Sequence, residues 1–130
     1  MLRFVIVLPA VVACAHPAPS TGDQQRPYVV STSPKAGDKA VPVSVDRIVV
    51  EFNEPMMNRS WSWVTLDGGT YPETTGDPIY TSAVRVELPV KLAPGVDYAM
   101  SINSKRFVNF KDVAGNPAVP FELRFSTAGP

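Results

Sequence analysis

Large apolar residues recur at every second position in four separate stretches of the chain. "RIVVEF" places Ile48, Val50 and Phe52 on one side against Val49 and Glu51. "AVRVEL" sets Val84, Val86 and Leu88 opposite Arg85 and Glu87. "VDYAMSIN" sets Val96, Tyr98, Met100 and Ile102 against Asp97, Ala99, Ser101 and Asn103, and "FELRF" sets Phe121, Leu123 and Phe125 against Glu122 and Arg124. A period of two is the signature of strands with one dry and one wet face, and such a face needs a second sheet to cover it.

An opening strand near Tyr28 to Ser33 and one or two across Trp61 to Tyr71 bring the expected count to about seven. The punctuation agrees: "SPKAG", "DGG" and "DVAGNP" supply the Gly, Asp and Asn that turns require, and Asp67-Gly68 between "WVTL" and "TY" predicts a tight hairpin. Pro55 ends the strand that starts at Arg47, because proline has no N–H to give a ladder. The expected fold is all-β, a single antiparallel sandwich of about seven strands over residues 27–128. Fourteen prolines and eight glycines in 130 residues leave no room for long helices.

The N-terminal segment breaks the pattern. After Met1-Leu2-Arg3 comes "FVIVLPAVVA", too short to span a bilayer but suited to the apolar region of an export signal. "VVAC" at Val11 to Cys14 resembles the bacterial lipobox, which implies removal of residues 1–13 and lipidation of Cys14, the only cysteine. An ordinary signal peptide that happens to contain a cysteine is the plainer alternative. Ala15 after the cysteine resembles the outer-membrane sorting pattern. Residues 14–26 are rich in Pro, Ser, Gly and Gln, which is linker chemistry. The membrane, through a lipid anchor, is thus the first expected partner, and the expected location is the outer membrane or another face of the cell envelope.

Twelve basic and twelve acidic residues cancel, so no footprint for nucleic acid is visible. The single histidine, His16, lies in the linker, which leaves Ser/His and Cys/His chemistry without a base in the domain. Glu51 and Glu54, three positions apart at a strand end, do not aim into one cleft as a pair of hydrolytic carboxylates would. No catalytic residue, no cofactor and no metal site is expected.

Several motifs in order then resemble the SbsA-type bacterial Ig-like domain. They are the "SPKAG" turn, "VPVSVDRIVVEFNEPM", "KLAPGVDYAMSI" and "KDVAGNPAVPFELRFST". The resemblance implies an Ig-like sandwich in an extracytoplasmic setting and no reaction. A tyrosine at the start of a late strand, Tyr98 after "LAPG", also has the form of a tyrosine corner, its hydroxyl donating to the preceding turn.

The stretch "FNEPMMNRSWSWV" holds the remaining candidate chemistry. Met56, Met57 and Met100 offer thioethers in the manner of periplasmic copper carriers, but the N-terminal histidine ligand of those proteins is missing. Asp112 and Asn116 supply too few oxygens for calcium. Trp61 and Trp63 share one face of an extended segment, opposite Ser62, Val64 and Leu66. Pointing outward, they form a platform for a glycan or a protein partner, with Arg59, Lys105, Arg106 and Lys111 as polar neighbours. Pointing inward, one of them is the core tryptophan of an Ig-like sandwich. The function expected is a non-enzymatic interaction or structural module at the cell envelope, ahead of a copper carrier and of an envelope hydrolase; the oligomeric state is not legible.

Overall fold

The computed structural model describes residues 24–130, so the expected export signal, Cys14, His16 and most of the expected linker lie outside the described residues. Eight strands follow in order: β1 Val29–Ser33, β2 Arg47–Phe52, β3 Trp63–Thr65, β4 Glu73–Thr74, β5 Ile79–Tyr80, β6 Arg85–Lys91, β7 Asp97–Ile102 and β8 Phe121–Ser126. Five form one sheet in the order β1-β2-β6-β4, with β5 also on β6, and three form the other in the order β3-β7-β8. All strand pairs are antiparallel. The architecture is the all-β sandwich that the alternation demands, with one strand more than the expected seven.

The dry faces meet between the sheets. Ile48, Val50 and Phe52 of β2 and Val86, Leu88 and Val90 of β6 close against Tyr98, Met100 and Ile102 of β7 and Leu123 and Phe125 of β8. Phe110, fully buried, tilts against Phe52 at 5.5 Å. Every strand and the whole of the core among the described residues lie between Val29 and Ser126, so that span holds a hydrophobic core of its own, the physical requirement for folding alone. On the wet face of the larger sheet, Glu87 takes Arg47 at 3.1 Å and Arg85 at 3.3 Å, while Glu51 lies 3.7 Å from Arg85.

Three local expectations are corrected. Asp67 and Gly68 do form a turn, but its flanks do not pair with each other: β3 pairs with β7 antiparallel, and Thr70 returns to pair with Tyr98 in parallel. The close approach of Gly69 to Ala99 makes this possible, since a Cβ on Gly69 would stand 2.4 Å from that of Ala99. Ala99 and Ser101, placed on the polar side of β7, are therefore buried. The Tyr98 hydroxyl accepts the Ala93 N–H at 2.7 Å instead of donating, and its ring stacks on Phe125 at 5.3 Å.

The additional strand arises at Pro89. In β6 the N–H groups of even residues face β2, as Val90 donating to the Asp46 carbonyl shows, so an odd residue's N–H faces β4 and β5. Pro89 has none to offer there, and the partner strand breaks between Thr74 and Ile79 into two pieces of two residues.

Candidate functional site

The segment after β2 is bent back by a compact loop. Ser60 donates its hydroxyl to the Met57 carbonyl at 2.7 Å, and the Tyr80 hydroxyl donates to the Ser60 carbonyl at 2.7 Å. Burial pushes the Tyr80 phenol up to about 12. Arg59 takes a positive φ of 60° within this loop and points its exposed side chain to solvent. Ser62, buried, accepts from the Asn103 N–H through its carbonyl and from the Asn109 N–H through its hydroxyl, both at 3.0 Å. These contacts fix the tryptophans on either side of it.

Trp63 stands opposite Ile102 and Thr65 opposite Met100 in the β3–β7 ladder. Directly opposed residues share a face, so the tryptophan side of β3 is the inner one. Trp63 meets Phe110 edge to face at 5.1 Å, and its Nε1–H is buried with no acceptor among the described residues. Trp61 also packs against the core, and both indoles are half-buried. Of the two arrangements open from the sequence, the structure has the inward one.

The half that remains accessible lines a groove of about 360 Å³ with Ser62, Tyr71, Thr74, Asp77 and Pro78. Burial raises the Tyr71 phenol above its ordinary value. The groove's accessible lining is more polar than apolar, so the carboxylate, hydroxyls and backbone groups can hydrogen-bond the substituents of a ring that lies against the open part of the indoles. Tyr71 and Tyr80 were not singled out from the sequence, because nothing in their local pattern ties them to Trp61 across the sandwich.

The other candidates are dispersed. Met56 and Met100 are core residues while Met57 lies on the surface, so the three thioethers do not share an environment. Asp112 is buried and accepts from both the backbone and the side-chain nitrogens of Asn116, at 2.8 and 2.9 Å, closing its own turn. Glu51 faces Ser31 and Arg85. Among the described residues no three His, Cys, Asp or Glu side chains are grouped to hold a metal ion. Lys105 and Arg106 are exposed beside Phe107, and Lys111 is half-buried.

Sequence reasoning missed Asn103. It is fully buried at φ 60° and spends its amide on Phe110 and Ala118. An asparagine directly after a strand is the one signal that could have found it.

Two solved structures are similar to the chain. One is the S-layer protein rSbsC, at 18% identity and a TM-score of 0.45; the other is the surface layer protein SbsC, domains 1-6, at 19% and 0.48. Each comparison covers 82% of this chain and 14% of the S-layer chain, so the chain spans about a seventh of those proteins. No curated protein matches. The family of the bacterial Ig-like domain matches residues 23–127, which takes in all eight strands and the aromatic groove, and the chain belongs to that family.

Proposed function

We propose that the protein is a non-enzymatic, lipid-anchored module of the bacterial cell envelope that holds an envelope glycan in the groove walled by Trp61, Trp63 and Tyr71. The observation that carries the binding role is the groove itself: two indoles and a phenol at the open margin of the sandwich, with Thr74 and Asp77 beside them. A sugar ring presents an apolar C–H face to stack and hydroxyls to bond, and both requirements are present there. The Ig-like family supports a structural or interaction module over an enzyme. The "VVAC" motif supports export and acylation of Cys14.

The test is co-sedimentation of the domain with purified peptidoglycan sacculi, with Trp61→Ala and Arg59→Ala alongside. The proposal expects retention that Trp61→Ala abolishes while cooperative thermal unfolding persists. Retention unchanged in Trp61→Ala, or no retention at all, contradicts the glycan assignment. Cross-linking of the same groove to an envelope protein would replace it with a protein partner.

A further inference from the structure

The formal neutrality of the chain conceals an uneven distribution. β1 and β6 start, and β2 and β7 end, at one pole of the sandwich, where the chain arrives at Arg26. The two sheets are tied there: Val119 N–H donates to the Pro27 carbonyl, Met57 N–H to the Lys111 carbonyl, and Arg26 to the carbonyls of Pro117 and Ala118. This pole carries Arg26, Arg59, Lys105, Arg106 and Lys111. Arg85 and the acids Glu51 and Glu122 stand at the same strand ends, with Glu54 and Asp112 beyond them, and Asp112 is buried against Asn116. The remainder of residues 24–130 carries five basic and seven acidic side chains. The domain is a charge dipole with its positive end at Arg26.

The same pole is also where apolar side chains stand in solvent. Tyr28 is 53% exposed, Met57 40%, Phe107 53%, Val113 69% and Val119 42%, against only Val30, Val43 and Ile79 elsewhere among the described residues. Basic residues mixed with exposed aromatic and aliphatic ones suit the boundary between lipid headgroups and acyl chains. Position agrees with charge. Twelve positions separate Cys14 from Arg26, and a chain of that length reaches at most about 40 Å in any conformation.

We infer that the Arg26 pole docks on the anionic phospholipid surface in which Cys14 is anchored, which turns the groove toward a fixed direction instead of leaving the domain free on its tether. The inference rests on the lipid-anchored reading for its choice of surface. The contact itself is carried by the charge and apolar exposure of the domain. Tethering raises the local lipid concentration, so a weak intrinsic contact suffices.

The test uses residues 24–130 without the anchor, and vesicles of phosphatidylglycerol mixed with phosphatidylcholine against vesicles of phosphatidylcholine alone. Binding to the anionic vesicles, weakened by salt, is expected. Lys105→Gln and Arg106→Gln should each lower the partition coefficient about fivefold. Lys35→Gln with Lys39→Gln, at the opposite pole, should leave it unchanged. No binding, equal binding to both vesicles, or equal loss from the opposite-pole variants would overturn the inference. Acylated full-length protein with a domain indifferent to phosphatidylglycerol would leave the anchor standing and remove the docking; an unacylated Cys14 with a domain that still binds would do the reverse.

Discussion

Asn103 pairs with Phe110 as one strand pairs with another: its Oδ1 accepts the Phe110 N–H at 2.9 Å while its Nδ2 donates to the Phe110 carbonyl at 3.0 Å. The same Nδ2 reaches the Ala118 carbonyl at 3.0 Å. A side chain thus extends the short backbone ladder between two irregular segments, in which the Ala118 N–H donates to the Phe110 carbonyl, and it holds Phe110 where Phe52 and Trp63 pack on it. Asn103→Ala leaves the buried Phe110 N–H unpaired, while the Phe110 carbonyl keeps the Ala118 N–H and the Ala118 carbonyl keeps Arg26, and it replaces asparagine at a positive φ that alanine tolerates less well. The expected loss is about 2–4 kcal/mol in urea unfolding, larger than for an exposed asparagine. A loss under about 1 kcal/mol would mean that these segments are held by other means.

Gly69→Ala is a test of the covered face of β7. The added methyl has only the Ala99 Cβ and backbone to displace, at 2.4 and 3.2 Å, and neither is a flexible end. Overpacking of that kind costs about 1–3 kcal/mol. The double variant with Ala99→Gly should recover most of it, measured as the shift of the thermal midpoint.

Trp63 separates packing from hydrogen bonding. Since its Nε1–H has no acceptor among the described residues, Trp63→Phe forfeits none of the bonds found there and keeps an edge against Phe110. It should unfold within about 1.5 kcal/mol of the parent, whereas Trp63→Ala should lose about 2–4 kcal/mol. Loss of the groove's ligand in the phenylalanine variant, with the fold retained, would assign the indole a direct contact.

The pH profile has a cause at each side. Glu87 lies below its ordinary value of 4.5, chiefly through the Thr81 hydroxyl and then through Arg47 and Arg85. A depressed folded pKa gives stability that is present above the unfolded value and is lost as pH falls through the folded one, so Glu87→Gln should flatten the acid limb below pH 4.5. Tyr80 is raised from 10.0 to about 12 by burial. A raised value gives stability present below 10.0 and lost as pH rises toward 12, and Tyr80→Phe should remove part of that alkaline loss. Unfolding midpoints across both limbs check the two signs.

The long strands were legible because alternation in "RIVVEF" or "FELRF" is a one-dimensional record of a two-faced sheet. The short ones were not. β4 and β5 are two residues each, and their separation depends on a missing N–H at Pro89 in another strand. The hairpin expected at Asp67-Gly68 fits local turn chemistry; β7 takes both flanks of that turn instead, through Ala99. The site was legible as residue types and not as geometry. Trp61 and Trp63 are conspicuous in the chain, while their partners Tyr71, Asp77 and Phe110 come from distant segments brought together only by the sandwich.

The most direct measurement is the mass of the N-terminal peptide of the protein isolated from bacterial membranes. The account predicts a chain that starts at Cys14 and carries the added mass of a diacylglyceryl group on sulfur. A chain that starts elsewhere, or an unmodified Cys14, would contradict the anchored envelope module.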